Sequence, residues 1–122
     1  MTRARVETGQ RAEALAAAWL QRQGYALVAR NVRTQLGEID LIMRHGRTLV
    51  FVEVRARRTA RFGAPEESIT AVKLQRMLRA AQWYLTQQRW REEVPVRLDV
   101  IAIRWAPDGE PQFHHLQNVT GY

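Results

Sequence analysis

The stretch GEIDLIMRHGRTLVFVEVRAR, residues 37–57, constrains this chain more than any other. His45-Gly46-Arg47-Thr48 is a turn signal between two apolar runs, and Gly46-Arg47 reads as a two-residue hairpin loop in which glycine supplies positive φ. Residue 45 then pairs with 48, 44 with 49, and the rest follow in step. Asp40 falls opposite Glu53, and Glu38 falls opposite Arg55. Strand side chains alternate, so these four leave one face. Ile39, Leu41, Met43, Val50, Val52 and Val54 leave the other, a uniformly apolar face that must pack on a helix. Near the turn the charged face is apolar too, at Ile42, Leu49 and Phe51, so the four charged residues form a pocket at one end of the sheet. A loop one residue longer would send Asp40 and Glu53 to opposite faces.

Carboxylates placed directly opposite each other, with Cβ atoms about 5 Å apart, destabilise a sheet. Held together, they bind a cation or raise a pKa. A hard divalent ion such as Mg²⁺ takes oxygen ligands from one or two carboxylates together with a substrate phosphate. An ion-pair cluster, in which Arg55 and another arginine neutralise the acids without a metal, explains the same pattern. Residue pattern alone leaves both open.

The rest of the chain supports a single domain, residues 1–122, since this length builds one core and not two. The absence of cysteine excludes disulfide scaffolds, thiolate metal sites and cysteine nucleophiles. Residues 14–20 are apolar but sit inside an amphipathic pattern, too short for a signal peptide or a membrane span. The expectation is a cytoplasmic protein with no membrane partner. The net charge of +7 is one-sided: residues 1–61 hold 12 Arg against 5 acids, while residues 62–122 hold 6 Arg and 1 Lys against 7 acids. A basic half of this kind suits a polyanion, and nucleic acid is the expected partner.

Periodicity predicts a helix over residues 6–23, with Ala12, Leu15, Ala16 and Trp19 as its stripe and Gly24 as its stop. Strands follow over 25–35, 37–44 and 48–57, then a loop over 62–68. Ser68 is the expected cap of a second helix running to about residue 90, with Leu74, Leu78, Ala81 and Leu85 as its stripe. Strands over 96–105 and 112–117 complete the order α-β-β-β-α-β-β. That order predicts an α/β domain, a mixed sheet of five strands covered by helices.

Asp40, followed thirteen residues later by Glu53-Val54-Arg55, resembles the D…(D/E)-x-K signature of the PD-(D/E)xK superfamily, whose fold is restriction-endonuclease-like. The resemblance is closer to the small bacterial YraN-like family within it. It rests on Gly9 with Ala12-Glu13, Gly24-Tyr25, Asn31 and Arg33, GEIDLI at 37–42, VFVEV at 50–54, Phe62-Gly63, Lys73 and Arg97-Leu98-Asp99. A bare D-x₁₃-E-x-[KR] occurs by chance in many strands; GEIDLI followed by VFVEV at this spacing is specific. The resemblance implies a three-layer nuclease fold and hydrolysis of phosphodiester bonds in DNA rather than RNA, branched DNA included. It implies Mg²⁺ or Mn²⁺ held by Asp40, Glu53 and the main-chain carbonyl of Val54. In the branch that resembles Holliday-junction resolvases a helix-borne glutamate contributes, which maps onto Glu13; Glu13 shares a helix line with Ala17 and Leu20. Many nucleases of this fold act as homodimers in which two sites meet two strands, although nothing in the sequence marks an interface.

Position 55 departs from the signature, with Arg in place of Lys. Arginine keeps the positive charge but cannot serve as a base. Either the chain's preference for Arg, 18 against one Lys, has carried this position along and metal alone activates the water, or catalysis is lost and a nucleic-acid-binding fold remains. Lys73 is a substitute for the missing lysine or a surface lysine. Glu38 is expected to orient Arg55. Arg57, Arg58 and Arg61 leave the strand end beside the acidic pocket and suit phosphate contacts. Of Arg30 and Arg33, parity lets one share the pocket's side. Asp99 interrupts an apolar strand and is expected to pair with an arginine. His114-His115 lacks zinc-ligand spacing, and Trp83 and Trp90 read as packing residues.

Overall fold

Gly24 closes the first helix and sets where the sheet begins. Its N–H donates to the Gln21 carbonyl and that of Tyr25 to the Leu20 carbonyl, each at 3.1 Å, with Gly24 at φ 94. This double closure needs a left-handed residue, which glycine adopts without a Cβ penalty. It folds Tyr25 back toward Leu20, and both are buried.

The computed structural model describes residues 3–57, 66, 69–88 and 94–120. Its elements are α1 (Arg3–Arg22), β1 (Ala26–Thr34), β2 (Gly37–His45), β3 (Thr48–Arg57), α2 (Ala71–Gln87), β4 (Val96–Trp105) and β5 (Pro111–Leu116). The order matches the one expected, and the five strands form one sheet in the order β1-β2-β3-β4-β5. The sheet is mixed: β3 and β4 run parallel, and the other neighbours run antiparallel. A parallel pair cannot be joined by a tight turn, and α2 lies in the crossover that joins β3 to β4.

The helices cover opposite faces, giving three layers. From α1, Ala12, Ala16, Ala17 and Leu20 pack with Leu41, Met43, Val50, Val52, Ile101 and Ile103. From α2, Met77, Ala80, Ala81 and Tyr84 pack with Ile39, Ile42, Leu49, Phe51 and Leu98. Phe51 is fully buried and meets the Tyr84 ring edge-on at 5.9 Å between centroids. Burying such a side chain contributes roughly 1.5–3 kcal/mol. Among the described residues, no helix is long and apolar enough to cross a membrane.

Three local expectations are corrected. Thr70, not Ser68, caps α2: it is extended at φ −117, ψ 162, and its hydroxyl accepts from the Lys73 N–H. Ser68 and Trp90 lie outside the described residues. Both helix stripes are rotated from those expected, because small residues allow closer approach to the sheet. Ala16, Ala17 and Leu20 centre the buried face of α1, with Leu15 and Trp19 at its margin; Met77, Ala80, Ala81 and Tyr84 centre that of α2, with Leu74, Leu78 and Leu85 at the margin. Ile39 joins the α2 side, not the α1 side occupied by Leu41 and Met43. The cause lies at Asn31 and Asp40, where the site is built.

Candidate metal and nucleic-acid site

The hairpin forms in the register read from its turn. His45 pairs with Thr48, and the ladder runs through Arg44–Leu49, Met43–Val50 and Ile42–Phe51 to Leu41–Val52. Gly46 takes φ 61, as a Gly-first hairpin turn requires. Continuing the same register by one residue sets Asp40 beside Glu53. There the strands part. The alternation of the antiparallel ladder makes Ile39 and Val54 the next pair to exchange backbone hydrogen bonds. Instead the Val54 N–H donates to Oδ2 of Asp40, at 2.9 Å. N–H and C=O of one strand residue leave on the same side, so the Val54 carbonyl also faces the gap.

Across β1, the residue that would meet Asp40 is Asn31, which sits at φ 52. The β1–β2 ladder pairs Arg30 with Leu41 and Val32 with Ile39 but skips the position between. A non-glycine residue at positive φ is uncommon, and asparagine tolerates it better than most. This break in regular alternation accounts for Ile39 lying on the α2 side. On β1, Arg33 stands opposite Glu38 in the ladder, and the charge of Arg30 reaches Glu13.

Glu13 comes from α1, four residues before Ala17 and seven before Leu20, on the line that faces the sheet. Carboxylate oxygens of Glu13, Glu38 and Asp40 lie within 4.8 Å of one another. Glu53 is hydrogen-bonded to Asp40, so one proton is shared between two carboxyl groups. Burial pushes Glu53 up to about 7; the Asp40 charge adds to this, while Arg55 and Lys73 oppose it. Burial likewise pushes Glu13 up to about 7, with Asp40 adding and the side chain of Asn31 opposing. Asp40 itself is raised, by burial above all, against the stabilising Val54 N–H. Desolvated acids crowded in this way keep protons that a cation can replace.

Arg55 is held by Glu53, at 2.6 Å. The expectation that Glu38 orients Arg55 is corrected accordingly: β2 diverges from β3, so Glu38 lacks the ladder position opposite Arg55 that it would have had in an unbroken hairpin. Glu38, Glu53 and Arg55 do line one cavity of about 200 Å³, together with Gly37, Lys73 and Arg76. Lys73 therefore stands in the pocket beside Glu53. Arg57 is half-buried two residues beyond Arg55; Arg58 and Arg61 lie outside the described residues.

Asp99 pairs with an arginine as expected. It is fully buried, accepts two hydrogen bonds from Arg97 at 2.9 Å, and takes a third from the Asn118 N–H. His115 meets it at 2.7 Å. This network packs on the α1 side near Tyr25, whose hydroxyl accepts from Arg97, and the His114-His115 pair lies within β5.

Sequence reading gave no site role to two contributors. Asn31, which hydrogen-bonds Glu13, had a signal in its side-chain type, since asparagine is depleted in strands. Arg76 follows Lys73 by three residues, a spacing that puts both on one helix face.

The comparisons agree on a family. The model of the Uncharacterised protein family UPF0102 matches residues 12–103, a span that contains Glu13, Asp40, Glu53 and Lys73. A UPF0102 protein from Syntrophotalea carbinolica is 45% identical over 115 residues, covering 94% of this chain and 92% of its own. One from Symbiobacterium thermophilum is 44% identical over 110 residues, 90% of this chain and 92% of its own. One from Legionella pneumophila is 47% identical over 97 residues, 80% of this chain and 82% of its own. With GEIDLI and VFVEV lying at the point where β2 and β3 part, the chain belongs to the UPF0102, YraN-like family.

Proposed function

We propose that this protein binds nucleic acid and hydrolyses phosphodiester bonds in DNA with Mg²⁺ or Mn²⁺. The observation that carries this reading is the gathering of Glu13, Glu38 and Asp40 within 4.8 Å, with Glu53 hydrogen-bonded to Asp40. The donor set suits a hard divalent ion: it is all oxygen, it is poorly solvated, and Oε2 of Glu13 is buried without a hydrogen-bond partner among the described residues. Asp40 and Glu13 would hold the ion, with Glu38, Glu53 and the Val54 carbonyl available to complete its oxygen shell; the ion would supply a water of lowered pKa and a Lewis acid for the phosphoryl oxygen.

The remaining roles fall to the chain's own side chains. Arg55 stays cationic and cannot take a proton from water; held by Glu53, it is suited to balance charge on a phosphate oxygen. Lys73, in the same cavity, is the residue able to act in place of the signature lysine. Arg57 continues the basic edge outward, as a phosphate contact requires.

A second reading is favoured by the Arg55–Glu53 pair: nucleic-acid binding without hydrolysis, in which the guanidinium takes the place of a cation. Arg55 ion-pairs with Glu53, whereas the oxygens of Glu13, Glu38 and Asp40 remain gathered within 4.8 Å, as a cation site requires, which is why hydrolysis is preferred. The experiment is cleavage of single-stranded, duplex, flapped and four-way DNA with each divalent ion, beside an Asp40→Ala control. Cleavage lost in Asp40→Ala supports the nuclease. Salt-sensitive binding with no cleavage of any substrate supports the second reading, and negligible binding at physiological salt excludes both.

A further inference from the structure

The α2 side of the sheet does not end at the acidic pocket. The β3–β4 ladder is unbroken from Leu49–Val96 to Arg57–Arg104, so Glu53, Arg55 and Arg57 alternate outward on the same side as Phe51. On β4 the matching positions are Ala102 beside Arg55 and Arg104 beside Arg57. On β5, His114 stands beside Ala102 and Gln112 beside Arg104. Neighbouring strands lie about 4.8 Å apart, so this row carries polar side chains roughly 10 Å past the edge of the acidic pocket. Alanine at 102 leaves room among its larger neighbours, and a cavity of about 290 Å³ opens over it, walled by Arg104, Gln112, His114 and Glu66.

Beneath this surface several buried polar atoms are left unmatched. Nε of Arg55 and Nε of Arg57 are buried donors without partners among the described residues, and Oε1 of Glu66 is a buried acceptor in the same state. The other oxygen of Glu66 meets His114 at 3.1 Å and Arg104 at 3.7 Å. Its own backbone N–H, His114 and Arg104 outweigh the effect of burial and hold the Glu66 carboxyl below its usual range, so it is ionised and only accepts. Arg104 and His114 are both more than half exposed. A carboxylate on an otherwise basic surface repels phosphate; its use in a nucleic-acid site is to accept from a base amino group.

We infer that this cavity is a nucleotide subsite of the proposed nuclease: it takes one unpaired base carrying an exocyclic amino group, which donates to Oε2 of Glu66, the oxygen that faces His114 and Arg104, while Arg57 and Arg104 hold the adjoining phosphates. The inference rests on the nucleic-acid reading above and adds a substrate preference to it. The cavity is too small for a base pair and opens beside the acidic pocket, so the strand that enters is single where it leaves the scissile position. Cytosine, adenine and guanine each offer an exocyclic amino group; thymine has none, places a carbonyl where cytosine has its amino group, and is disfavoured by the carboxylate.

The test is fluorescence anisotropy of the full chain with labelled oligo(dC), oligo(dA) and oligo(dT) in metal-free buffer across a salt series, with the cleavage assay run in parallel. The wild type is expected to bind oligo(dC) and oligo(dA) about five- to tenfold tighter than oligo(dT). Glu66→Gln is expected to compress that ratio toward one, a readout that a uniform change in charge does not move. Arg104→Ala is expected to weaken all three oligomers about equally and to flatten the salt slope by roughly 0.7, the value for one phosphate contact on a single strand. Both positions are at the surface, and circular dichroism confirms that the variants are folded. Unchanged binding in both variants alongside intact wild-type cleavage overturns the subsite and leaves the nuclease standing. Altered binding in the absence of any cleavage keeps the subsite and removes the hydrolysis. Failure of the wild type to bind any oligomer removes both.

Discussion

The backbone N–H of Val54 donates to the Asp40 carboxylate, where a regular hairpin would have given it to the backbone of Ile39. This exchange fixes the Asp40 side chain in the gap between β2 and β3 and brings it to Glu53 and Glu13. Substitution of either acid of the central pair tests the consequence. Asp40→Asn and Glu53→Gln are expected to lower metal-dependent cleavage by more than about a hundredfold, the loss corresponding to several kcal/mol of charge stabilisation. Binding to DNA should be retained or strengthened, since each change removes a negative charge. Single-turnover cleavage and anisotropy on the same protein separate the two effects.

Arg55 is the position where chemistry and charge balance compete. Arg55→Lys is expected to raise metal-dependent turnover by about tenfold or more, because a lysine can exchange a proton at working pH and releases Glu53 from a guanidinium. Unchanged or lower turnover would mean that Lys73 already fills the role, in which case Lys73→Met abolishes the residual activity. The rates of the two variants, measured side by side, decide between these arrangements.

The acid cluster also sets a pH dependence. Glu13 and Glu53 stand at about 7 in the folded chain against 4.5 for the ordinary carboxyl. The folded state therefore keeps protons that the unfolded chain releases, and stability falls as pH rises between those values. Their contribution is complete below the unfolded value and lost once pH passes about 7. Thermal unfolding should give a midpoint that declines from about pH 5 to about pH 8, and Mg²⁺ should raise the midpoint more at the upper end. Asp99, whose carboxyl is held low by His115, Arg97 and the Asn118 N–H against its burial, acts in the opposite sense. Its contribution is present above the ordinary value and lost as pH falls through the folded one.

Asn31 serves backbone and side chain at once, and two substitutions separate them. Asn31→Val places a β-branched residue at φ 52 and should cost roughly 1–3 kcal/mol in urea unfolding. Asn31→Gly keeps the backbone and removes only the hydrogen bond to Glu13. It should leave stability within about 1 kcal/mol while weakening Mg²⁺ affinity by about ten- to a hundredfold, the range for an outer partner of a metal ligand.

Removing the buried acid on the other side of the sheet should affect folding rather than chemistry. Asp99→Ala leaves the Arg97 guanidinium without its carboxylate partner in a half-buried position, and a loss of about 3–5 kcal/mol is expected. Urea unfolding measures it, and the folded fraction should retain its metal affinity.

The hairpin was legible because three local signals agree: a glycine that can take positive φ, a two-residue loop, and strict alternation from Leu41 to Val52. Order and fold class followed from the same kind of evidence. What was not legible lies where alternation fails. Parity counting assumes a regular strand, and Asn31 at positive φ interrupts β1 opposite Asp40, where Ile39 lies elsewhere than parity places it. The meeting of Asp40 with Glu13 is a tertiary event between a helix and a gap in the sheet, and no spacing within either element encodes it; the family resemblance, not the pattern, pointed to Glu13. The helix stripes hold only in part: Ala12, Ala16 and Ala81 are buried as the periodicity predicts, but Leu20, Met77 and Tyr84 join them at the centre, while Leu15, Trp19, Leu74, Leu78 and Leu85 lie at the margin.

The divergence of β2 from β3 makes the sheet a fork rather than a closed ribbon. Its two arms are joined below Leu41 by backbone rungs and above it by a side chain, which yields more readily. A dication or phosphate group bridging the arms would stiffen the crotch of the fork, and it would touch both layers at once, since Glu13 brings α1 to the gap and Lys73 brings α2 to the cavity beside it.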